Sequence, residues 1–236
     1  MGVWDEHIVN VLSGCPALET MELYCVEGFS RLDVRSSKLK RLKLNRYSSV
    51  DDGRDHSLEI NAPHLQELEI LGDLYDLKCR LVDVSSVVNA KLTFNIVCIK
   101  DVYTMAGREF DHAEDSCDYH QVFMTLVQDY LQKLSCAVEL TMGTWFTEVL
   151  CMLQFKGVAI PKLECKYLTL ELHMNEFNLY AEAVLLQTSP QVGTLNIDIT
   201  ATLADLHLVL IIFSLRPEHS ESMYVLESII IRDKCT

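Results

Sequence analysis

The stretch Leu18-Glu19-Thr20-Met21-Glu22-Leu23 spells L-x-x-L-x-L with methionine in one leucine slot. The chain writes it again at Leu39-Lys40-Arg41-Leu42-Lys43-Leu44 and at Leu65-Gln66-Glu67-Leu68-Glu69-Ile70. Apolar and polar residues alternate across each phrase, the pattern of a half-buried strand. The middle apolar residues Met21, Leu42 and Leu68 stand 21 and 26 residues apart, and Leu92-Thr93-Phe94 continues the series after about 24 more. A second series interleaves with the first: Leu32-Asp33-Val34, Leu58-Glu59-Ile60 and Val82-Asp83-Val84, in steps of 26 and 24. Self-similarity of this kind predicts stacked coils, each with an inner strand and, half a turn later, a second extended segment on its back. Connectors such as Asn61-Ala62-Pro63 and Asp51-Asp52-Gly53 supply the corners.

Past residue 115 the backs turn helical. Between Tyr119 and Cys136 the apolar residues Val122, Phe123, Leu126, Val127, Tyr130, Leu131 and Leu134 recur at three- and four-residue steps, which makes one apolar stripe. Trp145 to Leu153 and Phe177 to Leu186 predict shorter helices. Strands are expected at Val138 to Met142, Tyr167 to Leu172, Leu195 to Ile199 and Leu226 to Ile231. A leading helix over 3–13 closes at Ser13-Gly14, and Pro16 prevents its return. The expected layout is therefore one array over 1–236: leading helix 3–13, strand-rich repeats 14–97, an acidic loop 98–117, and strand–helix repeats 118–236.

Composition bounds the function. Apolar residues make up 49% of the chain and aromatic ones only 8%, which suits an aliphatic interior. The net charge of -14 disfavours non-specific binding to nucleic acid or anionic membrane. Nine cysteines without a C-x-x-C pair read as reduced, mostly buried thiols of a cytoplasmic or nuclear protein. The first residues lack the basic-then-apolar order of a signal peptide. The most apolar tract, Leu206 to Leu215, is about half the length of a membrane span and contains His207.

Chemistry-bearing clusters are few. Asp111, His112, Glu114, Asp115, Cys117, Asp118 and His120 crowd together and offer metal-ligand atoms, but their spacing matches no zinc pattern. The plainer reading is a solvated acidic loop whose Ser116 or Asp118 caps the following helix. There is no G-x-S-x-G elbow and no glycine-rich phosphate loop, so no catalytic, cofactor-binding or metal-binding residue is assigned and no enzyme is expected. Arg31, Arg35, Lys38, Lys40, Arg41, Lys43 and Arg46 form a basic run with a single acid, Asp33, inside it. Two readings stay open there: a receiver for an acidic or phosphorylated peptide, or charges filling the outward slots of strands.

If Met21/Leu23, Leu42/Leu44 and Leu68/Ile70 point inward, alternation turns Glu22, Tyr24, Arg41, Lys43, Glu67 and Glu69 outward. Thr93, Asn95, Glu139 and Glu171 join them farther along, with Thr141, Thr169, Asn196 and Asp198 in the same phase. These positions form the candidate partner-binding face.

The phrases Gly14-Cys15-Pro16-Ala17-Leu18-Glu19, Ser36-Ser37-Lys38-Leu39-Lys40-Arg41-Leu42 and Ile60-Asn61-Ala62-Pro63-His64-Leu65 resemble the repeats of plant F-box/leucine-rich-repeat proteins, including those with an FBD tail. Leu81-Val82-Asp83-Val84-Ser85-Ser86 and Ala90-Lys91-Leu92-Thr93-Phe94 fit the same pattern. The likeness is good over about 5–95, looser from 119 to 200, and fades after Leu203. It implies an α/β leucine-rich-repeat solenoid: parallel strands on the concave face, short β or loop backs in the N-terminal half, and helical backs in the C-terminal half. It also implies a non-enzymatic recognition module like the substrate-binding part of a Skp–cullin–F-box ubiquitin ligase receptor, gripping a protein target on the repeat face. The alternative is a stand-alone repeat protein, or a truncated product, with no ubiquitin role. The helical F-box expected ahead of the repeats is not read in 1–236, so a Skp-type adaptor is an expected partner only where an F-box lies upstream.

Overall fold

In the computed structural model, residues 3–48, 57–75, 78–97, 119–173, 185–200 and 228–233 are described. The expected acidic loop and metal-ligand cluster, and the expected helix from Phe177 through 184, lie outside these residues, except for Tyr119 and His120 at a helix start. The class is mixed α/β with parallel strands. Two compact units are present: Met1–Val87 with Phe94–Leu134, and Val88–Thr93 with Ser135–Thr236.

In the first unit, helix α1 (Val3–Gly14) precedes β1 (Thr20–Glu27), β2 (Arg31–Asp33), β3 (Arg41–Ser48), β4 (Ser57–Asn61), β5 (Glu67–Tyr75) and β6 (Lys78–Asp83). Odd and even strands part company, giving a parallel ladder β1-β3-β5 and a second one, β2-β4-β6. The repeated phrase sets the register of the first. Met21 lies beside Leu42 and Leu42 beside Leu68, while Leu23 lies beside Leu44 and Leu44 beside Ile70. The inner members of these rows are fully buried. A full burial of such a side chain stabilises by about 1.5–3 kcal/mol, so the aliphatic rows dominate the energetics of this ladder.

The second ladder departs from the expected spacing. Leu32 aligns with Ile60, not Leu58, and Ile60 aligns with Leu81, so the steps are 28 and 21 residues. A register shift between Ile60 and Asn61 admits an extra residue on β6. This bulge turns Val82 outward to 45% exposure and makes Cys79 and Leu81 the buried pair.

Proline sets the corners. Leu18 N–H donates to Cys15 O and Leu65 N–H to Ala62 O, closing turns with Pro16 and Pro63 in the second position, where their fixed φ is an advantage. Val84–Val87 closes the same turn without proline, aided by Ser85 N–H bonding Asp83 Oδ1 at 3.1 Å. Each strand then enters its ladder by a shared acceptor: Lys40 and Arg41 N–H both reach Glu19 O, and Gln66 and Glu67 N–H both reach Lys40 O. Helix α2 (Tyr119–Lys133) packs on β6; Tyr130 lies against Phe94 at 5.8 Å between ring centroids, and Lys133 Nζ donates to Leu81 O.

The second unit repeats the same entry device. Strand β7 (Asn89–Val97) contributes its first residues, followed by β8 (Glu139–Gly143), helix α3 (Thr144–Phe155), β9 (Tyr167–His173), β10 (Thr194–Thr200) and β11 (Ser228–Asp233). Val138 and Glu139 N–H share Val88 O, Lys166 and Tyr167 share Val138 O, and Gly193 and Thr194 share Lys166 O. The strands run parallel in the order β7-β8-β9-β10-β11. Helix α3 buries Phe146, Val149, Leu150 and Leu153 and packs on β8 and β9. No helix among the described residues is long and apolar enough to cross a membrane.

Candidate protein-recognition surface

The outward residues of β1, β3 and β5 form two rows in register: Thr20, Arg41 and Glu67, then Glu22, Lys43 and Glu69. Opposite charges therefore meet across neighbouring strands. Arg41 Nε lies 2.9 Å from Glu67 Oε2, and Lys43 Nζ lies 3.5 Å from Glu69 Oε2. Tyr24, 51% exposed, donates its hydroxyl to Glu22 Oε2 at 2.6 Å, and Lys43 Nζ sits 5.8 Å from the centre of its ring. The charge of Glu69 holds the Lys43 ammonium above its usual range, with Tyr24 assisting. The bond to Glu22 pushes the Tyr24 phenol up. Asn95 Nδ2 donates to Asp73 Oδ1 at 3.2 Å.

Among the ten expected face positions, the structure brings Glu22, Tyr24, Arg41, Lys43, Glu67 and Glu69 into one patch. Asn95 joins Asp73 in the same unit. Thr93, Glu139 and Glu171 belong to the second unit. The basic run does not converge. Arg35 pairs with Asp33 at 3.0 Å beside β2, Arg41 and Lys43 are met by acids of the next strand, and Lys38 lies exposed in a connector. The charges fill outward slots.

In the second unit Gly143, Glu171 and Asp198 align in one row with Thr93 beside Gly143, and Lys91, Thr141, Thr169 and Asn196 align in the next. A Cβ on Gly143 would stand 3.0 Å from Thr93 Cα. With no side chain in that slot, Lys91 spans β8 and reaches Glu171 Oε1 at 2.6 Å. Arg232 meets Asp198 at 3.3 Å, and Ser228 Oγ lies 3.2 Å from Thr194 Oγ1. Asn196 Nδ2 donates to Thr169 Oγ1, while its Oδ1 faces no hydrogen-bond partner because its neighbour on β11 is Ile230. Glu139 and Tyr167 are exposed. Lys91, Tyr167 and Arg232 are face residues the sequence reasoning missed. Lys91 and Tyr167 lie in the outward phase of strands it had marked, two residues before Thr93 and Thr169.

Half of the six described cysteines overturn the expectation of burial. Cys79, Cys151 and Cys165 are buried, whereas Cys15, Cys25 and Cys136 are exposed, all with free thiols. Cys25 fails the rule because it sits on β1 with φ 49°, out of phase with Met21 and Leu23. Among the described residues no group of three or more His, Cys, Asp or Glu side chains is arranged to hold a metal.

The family model described as "FBD-associated F-box protein At5g56370, LRR repeats" matches residues 1–94. Over 194 residues the chain is 31% identical to F-box/LRR-repeat protein At3g03360 of Arabidopsis thaliana, covering 82% of this chain and 36% of that protein. It is 32% identical over 194 residues to the putative F-box/LRR-repeat protein At3g18150 of the same plant, covering 82% and 38%. With F-box/LRR-repeat protein At5g02910, also from that plant, it shares 32% over 208 residues, covering 86% and 40%. The chain thus spans 36% to 40% of the length of these relatives. No solved structure gives a significant match.

Proposed function

We propose that this chain, whose residues 1–94 match the leucine-rich-repeat model of FBD-associated F-box proteins, is a non-enzymatic recognition module built as a leucine-rich-repeat solenoid. Its target is a protein, held on the outward face of the parallel strands. One observation carries this reading. Successive parallel strands offer charged, hydroxyl and amide side chains in register: Glu22–Lys43–Glu69 in one unit, and Lys91, Thr141, Thr169 and Asn196 in the other. Rigid scaffolds carrying aligned polar positions suit recognition better than bond chemistry. The proposed focus on the face comprises Glu22, Tyr24, Arg41, Lys43, Glu67, Glu69, Thr93, Asn95, Glu139 and Glu171.

The F-box named in the relatives extends the proposal to the substrate-receptor half of a Skp–cullin–F-box ubiquitin ligase, working in the cytoplasm or nucleus. Exposed free thiols at Cys15, Cys25 and Cys136 fit such a reducing compartment. Co-purification of a Skp-type adaptor with the product of the intact transcript tests that extension. An adaptor retained at stoichiometric level supports a ligase receptor. A target retained without any adaptor leaves a stand-alone repeat protein and removes the ligase role.

A further inference from the structure

Strand β3 is an interior strand, paired with β1 on one side and β5 on the other. It carries three bases, and two of them, Arg41 and Lys43, are met by Glu67 and Glu69. Arg46 is the exception. It is exposed, and among the described residues its guanidinium makes no hydrogen bond or ion pair. The side-chain amide of half-buried Asn45 has no hydrogen-bond partner among them either. Both side chains lie over Gly72 of β5, where a Cβ would come 2.9 Å from Asn45 Oδ1 and from Arg46 Cγ. Arg46 holds a left-handed backbone, φ 60°, which is unfavourable for arginine, and strain of this kind clusters at functional sites. Asn45 stands between Tyr24 and Leu71 in the outward row; the tyrosine is exposed and the leucine half-buried.

We propose that Arg46 and Asn45 read a carboxylate of the target protein, an aspartate or glutamate set beside an apolar residue in an extended segment. This deepens the recognition reading above and rests on it. The guanidinium fork takes the two carboxylate oxygens side by side. The Asn45 amide, donor and acceptor at once, takes a main-chain group of the segment. The apolar side chain packs on the Tyr24 ring and Leu71. Charge specifies this occupant. The acids nearest the row are already engaged: Glu22 by the Tyr24 hydroxyl, Glu69 by Lys43, and Asp73 by Asn95. The guanidinium is the charge left without a counterpart. Those same acids favour a carboxylate over a phosphate, whose additional negative charge they would repel.

The test selects a phage-displayed library of short random segments on the full chain. Enriched segments should carry Asp or Glu next to a leucine, isoleucine, valine or phenylalanine. The leading segment, made as a fluorescent peptide, should bind about tenfold more weakly when its acid is changed to the amide. Arg46→Gln should remove that difference, Arg46→Lys should keep it at lower affinity, and Arg46→Glu should enrich segments with a base in the acid's place. The side chain at 46 is exposed, and thermal melts check that each variant folds. Enriched segments without an acid, or an acid preference that survives Arg46→Gln, would overturn this inference and leave the recognition face standing. A selection that enriches nothing would overturn it as well. Retention of a protein partner from plant extract by Arg46→Gln tests the rest of the face separately, since Arg41, Lys43 and Lys91 remain in place.

Discussion

At Gly72 the backbone takes φ 74°, and a Cβ built there would lie 2.9 Å from both Arg46 Cγ and Asn45 Oδ1. Arg46 itself has φ 60° and Cys25 φ 49°. By the strand register these three stand at the same height on neighbouring strands, since Cys25 falls between the pairs Tyr24–Asn45 and Val26–Tyr47, and Gly72 between Leu71 and Leu74. The kink shifts the buried phase on β3, where Leu44 is followed inward by Tyr47, while β5 takes one residue more and Ile70 is followed inward by Leu74. Tyr47 then donates its hydroxyl to Phe29 O. Gly72→Ala is expected to destabilise by about 1–3 kcal/mol, combining a left-handed backbone with the close contact. Arg46→Gly removes one contacting side chain, so the two changes in a double-mutant cycle by chemical denaturation should couple favourably. Strict additivity would count against the contact. The alternation of these strands marks neither Gly72 nor Cys25 and Arg46, because the kink is a property of their register with one another. The thiols divide along similar lines. Burial pushes Cys79 up to about 12 and raises Cys165 and Cys151. Brief alkylation of the native chain at mildly alkaline pH should label Cys15, Cys25 and Cys136 and spare the other three, as read by mass spectrometry.

At the scale of the element, β2 and β4 are tied by Asn61 Nδ2 donating to Asp33 Oδ1 at 3.0 Å. The hydrogen bond from Arg35 holds the Asp33 carboxyl below its usual range against the opposing effect of burial, with the charge of Arg35 and the amide of Asn61 assisting. A carboxyl depressed in the folded state contributes stability above its unfolded pKa of about 3.9 and loses it as pH falls through the folded value. Asp33→Asn should therefore lower stability at pH 7, and the gap to the native chain should close in strong acid. Denaturation midpoints across that range measure it; a gap independent of pH would refute the assignment. Most elements were legible, since alternation and three-to-four spacing are direct consequences of strand and helix geometry. Boundaries such as Thr144–Phe155 for the expected Trp145 to Leu153 moved by a residue or two. The phase of β6 was not legible, because a bulge is set by the partner strand and leaves Val82-Asp83-Val84 looking like an ordinary alternating strand.

On the scale of the molecule, the outward patch of the first unit followed from sequence almost residue by residue, because one aliphatic phrase fixes which side chains face away. What the sequence left hidden was pairing. The basic run looked like a binding feature until Glu67 and Glu69 were seen facing Arg41 and Lys43 from the next strand. Likewise Lys91 became a face residue only through the empty slot at Gly143. These are relations between strands far apart in the sequence. The proposed recognition role is tested most directly by quantitative affinity capture from plant extract with three versions of the full chain: the native one, one with Arg41, Lys43 and Lys91 changed to alanine, and one with Lys38, Arg80 and Lys156 changed to alanine. The charge change is the same in both variants, but only the first set lies on the outward face of the strands β1, β3 and β5 and β7 to β11, while Arg80 sits on β6 and Lys38 and Lys156 lie outside the strands. The account predicts a protein partner retained by the native chain and by the second variant and lost by the first. A partner set indifferent to the face substitutions, or one lost equally from both variants, would contradict it.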